Sequence, residues 1–250
     1  MPSTSEQHDR QQLALAFRLA ERFGFHEGIC NHFSTRLDGE PERYLINPYG
    51  LHWSQIQADS LLLIDAQGAV LAGSGIVEDT ARFIHVASHR ANPRHKVVLH
   101  THMPYATTLT MLDGDAGTLP MTHQTAIRFH GRLSYEPEFG GLALDAGEGQ
   151  RIAHRAAASP DTDIVFLANH GVVVGGHSVA MAFDDLYYLE RACRQHVLAL
   201  QTGQDLKHIS PALVEHTATQ IRRDLNHSAE QHFRALAEVH NAQPDRVFTF

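Results

Sequence analysis

The chain contains little of what marks several common classes of protein. It has only 2 cysteines in 250 residues, Cys30 and Cys193, which are too few and too widely spaced to predict a disulfide framework. No apolar run approaches the ~20 residues that a transmembrane helix needs, so no membrane partner is expected. The start of the chain is polar and lacks the basic and apolar regions of a signal peptide. Together these absences predict a cytoplasmic protein.

An excess of positive charge is also missing. The chain has 20 Lys and Arg residues against 28 Asp and Glu residues, a formal net charge of −8, and no basic block. This balance disfavours nucleic acid and anionic membrane surfaces as main partners, and it leaves a small-molecule substrate as the expected one. The length and ordinary globular composition predict a single domain over residues 1–250.

The hydrophobic pattern changes its period several times along the chain. Apolar positions three and four residues apart predict helices, whereas short apolar runs predict strands. The predicted helices cover residues 6–23, 78–90, 104–111, 178–202 and 211–237. Strands are predicted within residues 43–53 (a short strand that runs into an N-P-Y-G turn), 60–73 (a hairpin), 96–102 and 163–176 (two apolar runs split at residues 169–171). Strands and helices that mix without regular alternation indicate an α/β domain with a mostly antiparallel sheet.

Histidine, in contrast, is abundant at 20 residues, and two of these end the apolar run VVLHTH. In a strand, His100 and His102 would point to the same face with Cβ atoms roughly 6–7 Å apart, which suits two imidazoles that bind one ion. A catalytic zinc-type site usually has three protein ligands and an open position. The best third candidate is His170, in a break between two apolar runs where Gly171 permits a sharp turn. On spacing alone, hydrogen-bonded core histidines are the more common explanation for such a pattern.

Several ordered motifs of the chain resemble the class II aldolase/adducin family. They are GICNHFSTRLDG, VVLHTHMPYAT, LANHGVVVGG and LYYLERACR, and the similarity covers roughly residues 10–203. The resemblance implies that His100, His102 and His170 are the three ligands of one divalent metal ion. It also implies a single-domain α/β/α sandwich with a central, mainly antiparallel sheet, and a homotetramer with active sites near subunit interfaces. Residues 204–250 would then form a C-terminal helical extension.

The sequence departs from the sugar-phosphate aldolases of this family at their catalytic positions. Counting back from His100 places Ala81 at the position of the family's catalytic glutamate, and alanine cannot transfer a proton. Glu78 and Asp79 lie nearby and are proton-transfer candidates, or they only cap the helix and complement its dipole. His123 stands near the position of the family's catalytic tyrosine and is a third candidate.

The positions that hold a substrate phosphate in those aldolases differ as well. Ile29, Tyr49 and the pair Asp79–Thr80 occupy them here, and a carboxylate repels a phosphate. A carboxylate or a phenol would suit the neighbouring side chains better, although turn asparagines and buried tyrosines also have ordinary structural roles. The candidate substrate-binding residues are His32, Asn47, Tyr49, Gly50 and Gln124.

The resemblance and the departures together predict a divalent-metal-dependent carbon–carbon lyase, an aldolase or a decarboxylase. Its substrate would be a non-phosphorylated oxo- or hydroxy-acid, including aromatic acids. Three imidazoles accept zinc, manganese, iron or cobalt, so the metal is not fixed by its ligands. Two alternatives remain. One is a non-haem iron oxygenase on the same fold, and the other is a non-catalytic, adducin-like interaction protein.

Overall fold

The computed structural model describes residues 2–39, 41–142 and 146–243. Its centre is an eight-stranded sheet with the strand order β4-β3-β2-β1-β5-β8-β7-β6. Neighbouring strands are antiparallel except for the parallel pair β6–β7. The strands are β1 (His32–Arg36), β2 (Arg43–Ile46), β3 (Leu62–Asp65), β4 (Val70–Ala72), β5 (Val97–Thr101), β6 (Leu133–Glu136), β7 (Ile164–Leu167) and β8 (Gly171–Gly176).

Helices cover both faces of this sheet. They are α1 (Thr4–Arg22), α2 (Asp79–Ala91), α3 (Pro104–Thr110), α4 (Gln124–Ile127), α5 (Ala146–Ala156), α6 (Val179–Leu200), α7 (Pro211–Arg222) and α8 (Leu225–Ala242). The larger apolar core lies between one sheet face and helices α1, α3, α6 and α8. Helices α2 and α5 pack on the opposite face. The predicted α/β/α sandwich with a mainly antiparallel sheet is therefore confirmed.

Aromatic packing holds α1 against the sheet. Phe17 of α1 stacks on Phe33 of β1 with ring centroids 4.6 Å apart, and Trp53 packs edge-on against Phe17 at 5.0 Å. All three side chains are fully buried, and removing each from water contributes roughly 2–3 kcal/mol. Trp53 is therefore a core residue rather than a substrate-stacking one.

The prediction of one continuous C-terminal helix over residues 211–237 is wrong, because the structure has two helices there. The chain turns at Arg223–Asp224, so that α7 and α8 are separate helices. The reason is tertiary, because the two apolar faces pack on different partners. Val214 and Ala218 of α7 contact α4, whereas Leu225 and Ala229 of α8 contact α6.

The short strand predicted to run into a turn within residues 43–53 is present as β2, which ends at Ile46 before Trp53–Gln55 forms a 3-10 turn. Strands β1 and β6 and helices α4 and α5 were not predicted from the hydrophobic pattern, and β1, β6 and α4 span only four or five residues each. The hairpin of β3 and β4 is confirmed, with Gly68 in its turn at a φ of 81°.

The C-terminal helices pack closely on the rest of the chain. Phe233 of α8 contacts Phe183 of α6 with ring centroids 5.5 Å apart. Arg22 of α1 donates a hydrogen bond of 2.7 Å to the carbonyl oxygen of Gln243. The assignment of residues 1–250 to one domain stays a prediction. Within the described part of the chain, no helix has both the length and the apolar character needed to cross a bilayer.

Candidate metal centre and cleft

The predicted metal ligands lie at the ends of two central strands of the sheet, β5 and β8. His100 is in β5 and pairs with His32 of β1 on one side and with Val173 of β8 on the other. His102 follows directly after the end of β5. Because β8 runs antiparallel to β5, the turn that precedes β8 lies next to the end of β5 and brings His170 beside His102.

The three imidazole rings converge. Each offers a ring nitrogen within 4.8 Å of the nitrogens offered by the other two. The ring centroids are 5.1 Å apart for His100 and His102, 4.9 Å for His100 and His170, and 4.8 Å for His102 and His170. The structure thus brings together three side chains that the resemblance predicted to share one ion.

The turn that carries His170 depends on two small or permissive residues. Asn169 adopts a φ of 55°, in the left-handed region that asparagine tolerates better than most residues. Gly171 serves a different purpose from the one expected, because it allows close approach rather than the turn itself. A Cβ added at Gly171 would lie 2.7 Å from the ring of His102 and 2.7 Å from the carbonyl oxygen of Thr101.

Hydrogen bonds to the outer ring nitrogens orient two of the ligands. The Nδ1–H of His100 donates to the carbonyl oxygen of Val172 over 3.0 Å. The Nδ1–H of His102 donates to the carboxylate of Glu27. In each ring this leaves Nε2 with a free lone pair, the form that binds a metal. Nε2 of His102 is buried and has no hydrogen-bond partner in the described structure.

Burial keeps the rings of His170 and His100 neutral. Burial, with the neighbouring His102 as a smaller cause, lowers the pKa of His170 to about 4. Burial and then His170 hold the pKa of His100 well below its ordinary value. Neutral imidazoles with unpartnered inner nitrogens fit a divalent cation, because metal binding requires the deprotonated ring.

The three histidines line a cleft of about 470 Å³. One wall of the cleft is apolar, and the described lining residues include two carboxylates but no lysine or arginine. The apolar lining residues are Ile84, Met111, Phe139 and Leu142. A cleft with this lining suits an apolar or aromatic group beside the metal position better than a phosphate.

Sequence reasoning missed Asn31, which lines the same cleft. Its backbone has a φ of 74°, and its Oδ1 accepts a hydrogen bond of 3.4 Å from the backbone N–H of His102. Its Nδ2 is buried without a partner, so it is a donor aimed at no described group of the protein. An asparagine directly before a strand, where a left-handed residue is needed, is the sequence signal that could have indicated it.

Of the three proton-transfer candidates, only Glu78 lines the cleft. Its Oε2 lies 3.8 Å from Nε2 of His32, and burial raises its pKa. Asp79 is exposed in the first turn of α2, where a carboxylate complements the helix dipole. Ala81 is 1% exposed and packs with Tyr44 and other apolar residues below the sheet, so it faces away from the cleft.

Of the predicted substrate-binding residues, only His32 lines the cleft of its own chain. It is 3% exposed. Asn47 is buried, hydrogen-bonds the backbone on either side of His32 and does not line the cleft, so its part in substrate binding stays a prediction. Tyr49 and Gly50 lie in an exposed loop outside the cleft lining.

His123 and Gln124 also lie outside the cleft lining of their own chain, at the start of α4. Burial lowers the pKa of His123, and the nearby His196 lowers it further. The contribution of these two residues to catalysis stays a prediction.

The described residues contain one other group with the composition of a metal site, Glu21, His26 and His52. There the backbone N–H of Ser54 donates to Nδ1 of His52 over 3.4 Å. His52 therefore carries its proton on Nε2 and donates it to Nε2 of His26, 3.1 Å away. The two nitrogens satisfy each other, in contrast to the unpartnered nitrogen of His102.

Comparison with known proteins adds a family and several relatives. Residues 11–197 match the family model described as the Class II Aldolase and Adducin N-terminal domain. A Caulobacter vibrioides protein, provisionally named an aldolase class 2 protein, is 32% identical over 210 residues, which are 84% of this chain and 79% of that protein. Alpha-adducin of Rattus norvegicus is 31% identical over 197 residues, which are 78% of this chain but 26% of the adducin.

A solved structure matches almost the whole chain. It is an aldolase II superfamily protein from Pseudomonas syringae, with 30% sequence identity and a TM-score of 0.87. The match covers 99% of this chain and 98% of that one, so the C-terminal helices are part of the shared fold.

Proposed function

Because this chain belongs to the class II aldolase and adducin family, we propose that it is a divalent-metal-dependent carbon–carbon lyase, an aldolase or a decarboxylase. Its substrate is a non-phosphorylated oxo- or hydroxy-acid, aromatic acids included, and it acts in the cytoplasm. The observation that carries the proposal is the convergence of three imidazoles on a cleft, with the inner nitrogen of His102 buried and unpartnered.

His100, His102 and His170 would hold the cation, which is zinc, manganese, iron or cobalt. When bound, a divalent cation supplies a Lewis acid that stabilises the negative charge developing as a carbon–carbon bond breaks, by several kcal/mol. Glu27 keeps the His102 ring in its orientation through Nδ1. Nδ2 of Asn31 is free to donate a hydrogen bond to a substrate oxygen in the cleft.

Glu78 is the favoured proton-transfer residue. Its carboxyl lies in the cleft, and its raised pKa increases the protonated fraction near neutral pH. A carboxylic acid in that state can deliver its proton to the carbon left by bond cleavage. Asp79 and His123 are weaker candidates, and His123 would act only if a neighbouring subunit presents it to the cleft.

The lining of the cleft supports a non-phosphorylated acid. Glu27 and Glu78 place carboxylates where a phosphate would need positive charge, and the described lining side chains offer no cation of their own. Phe139 and Leu142 supply apolar surface for the rest of the substrate. Both side chains are more than half exposed, which supports an assembly, a homotetramer, with its sites near subunit interfaces.

Replacement of His102 tests the proposal directly. The His102→Ala variant should lose both the bound metal and turnover, because two ligands seldom retain a catalytic ion. The measurements are elemental analysis of the purified protein and assays on a panel of oxo- and hydroxy-acids. His130→Ala is the control, since His130 also pairs with a carboxylate, that of Glu215, but far from the cleft. Stoichiometric metal in the His102→Ala protein would contradict the proposal.

The same assays separate the two alternatives. Turnover that requires oxygen and ferrous iron would indicate an oxygenase, whereas turnover under anaerobic conditions excludes it. The match to alpha-adducin favours the non-catalytic alternative. A purified protein that binds no divalent metal and turns over no acid of the panel would support that alternative.

A further inference from the structure

A chain of buried hydrogen bonds runs from the cleft into the layer between the sheet and α2. Nδ1 of His32 lies 2.8 Å from Nε2 of His85, and Nδ1 of His85 lies 2.5 Å from Oγ of Ser34. The same Oγ lies 2.8 Å from Nε2 of His89. Finally, Nδ1 of His89 lies 3.0 Å from the backbone carbonyl oxygen of His95.

The last link fixes the direction of every other link. A carbonyl oxygen can only accept, so His89 carries its proton on Nδ1, and its Nε2 must accept from the Ser34 hydroxyl. Ser34 has a single proton, so it accepts from Nδ1–H of His85. Nε2 of His85 then accepts from Nδ1–H of His32. Nε2 of His32 is left with a bare lone pair.

Burial excludes the protonated forms that would break this order. The side chains of His32, Ser34, His85 and His89 are at most 3% exposed, and among the described residues no carboxylate hydrogen-bonds to His85 or His89. Burial lowers the pKa of His89 to about 3. Each imidazole therefore carries one proton, and the argument from donors and acceptors has a single solution.

The free nitrogen of His32 lies at the cleft, close to the carboxylate of Glu78. The His32 ring stacks on the ring of His100 with centroids 5.0 Å apart, and His32 lines the cleft. Its Nε2 is 3.8 Å from Oε2 of Glu78, beyond hydrogen-bond distance. The cleft therefore presents a fixed acceptor at His32 next to a buried unpartnered donor, Nδ2 of Asn31.

We propose that this hydrogen-bond chain locks His32 as the Nδ1–H tautomer, so that its Nε2 selects a substrate that presents a hydroxyl group beside the three-histidine centre. His32 is then a specificity-determining residue, and Ser34, His85 and His89 are positioning residues that act through it. The inference rests on the proposed function for its substrate class and narrows that class to hydroxy-acids. The carbonyl oxygen of an oxo-acid is itself an acceptor and could not hydrogen-bond to Nε2 of His32.

The tautomer can be measured without substrate or metal. Solid-state NMR of metal-free protein with ¹⁵N-labelled histidine distinguishes protonated from unprotonated ring nitrogens, and the His32→Asn spectrum assigns the signals of His32. The expected result is a protonated Nδ1 and an unprotonated Nε2. The reverse tautomer, or a mixture of the two, overturns the inference whatever the fate of the lyase proposal.

Removal of the His89 ring should reverse the direction of the other hydrogen bonds in this network. In His89→Phe the Ser34 hydroxyl is free to donate to His85 instead, which makes Nε2 of His32 a donor. Ser34→Ala cuts the chain and is the second variant if the first fails to fold. Ser88→Ala is the matched control, because the Ser88 hydroxyl is equally buried but bonds only to its own helix, at the carbonyl of Ile84.

Binding of lactate and pyruvate to the zinc-loaded proteins gives the functional readout. The original protein and Ser88→Ala should bind lactate roughly tenfold more tightly than pyruvate, the value of one satisfied against one opposed hydrogen bond. His89→Phe should lose or invert this preference while keeping its metal, and Ser34→Ala should lose it. Equal binding, or no binding of either acid by the original protein, contradicts the selection for a hydroxyl. Failure of the original protein to bind zinc would instead contradict the lyase proposal.

Discussion

At the residue scale, the orientation of His102 depends on a carboxylate that the sequence motifs did not indicate. The side chain of Glu27 is 64% exposed, yet it accepts the Nδ1–H of His102 and so holds the ring that must present Nε2 to a metal. A carboxylate in this position also makes the inner nitrogen more basic. Glu27 therefore matters for the centre without contributing to the core.

We expect Glu27→Gln to weaken metal binding by about 10–100-fold, the usual cost of losing a carboxylate partner of a metal-binding histidine. The amide oxygen can still accept the hydrogen bond, but the negative charge is gone. A competition titration of zinc against a chromophoric chelator measures the change.

The chain offers a matched control for this substitution. Glu215 is 60% exposed and pairs with His130 over 3.1 Å, away from the cleft. Glu215→Gln should leave the zinc affinity unchanged. Equal affinity of Glu27→Gln and the original protein would mean that Glu27 does not support the metal centre.

At the element scale, the junction of β5 and α3 is held by a buried acid on a different helix. The carboxylate of Glu190 in α6 accepts the backbone N–H groups of Tyr105 and Ala106 at 2.8 and 2.9 Å. It thereby satisfies the first turn of α3, which begins two residues after His102. Burial raises the pKa of Glu190 to about 7, although the two N–H groups and Arg194 oppose the shift.

The raised pKa gives the stability a defined pH dependence. Because the folded protein binds this proton more tightly than the unfolded chain does, the contribution of Glu190 is fully present below its ordinary pKa of 4.5 and is lost as the pH rises through about 7. Glu190→Gln removes this titration. The free energy lost by the variant should therefore be greater at about pH 5 than at about pH 8, by on the order of 1–3 kcal/mol.

Urea unfolding of metal-free protein at the two pH values measures this difference. The comparison of variant with original protein cancels the titration of the many histidines. A variant that loses more stability at the higher pH would show that the two N–H groups outweigh burial and that Glu190 is anionic throughout.

Some helices could be predicted from the residue pattern, whereas other features of the fold depend on contacts between distant residues. Helices α1, α2 and α6 were predicted because their apolar stripes repeat over more than three turns, as in the 22 residues of α6. The break between α7 and α8 was not predicted, since it depends on two packing partners that lie far away in sequence. Spacing named the three histidines as candidates, but only the resemblance predicted that they share one ion, because spacing alone cannot show that His170 returns to β5.

At the scale of the whole molecule, apolar side chains around the cleft remain exposed in the single chain. Met111 is 63% exposed, Phe139 53% and Leu142 72%. Clustered exposed apolar residues around a site are typical of an interface. They agree with the proposed homotetramer.

We expect a sedimentation mass near 111 kDa, which is four times the chain mass of 27.8 kDa. Leu142→Glu should lower this mass, because a charge buried in an apolar interface is costly. Leu213→Glu is the control, since Leu213 is 53% exposed on α7 and does not line the cleft. A monomeric mass for the original protein would contradict the tetramer.

The order of the residues was enough to predict the class of fold, the family and the three candidate histidines, because hydrophobic period and local motifs are encoded along the chain. It was not enough to show which other side chains join those histidines. Asn31, Glu27 and the chain from His32 to His95 come together only when β1, β5 and α2 pack, since the sheet pairs His32 with His100 and α2 lays His85 and His89 over that pair. The direction of a hydrogen bond and the tautomer of a ring depend on such contacts, and no spacing in the sequence specifies them.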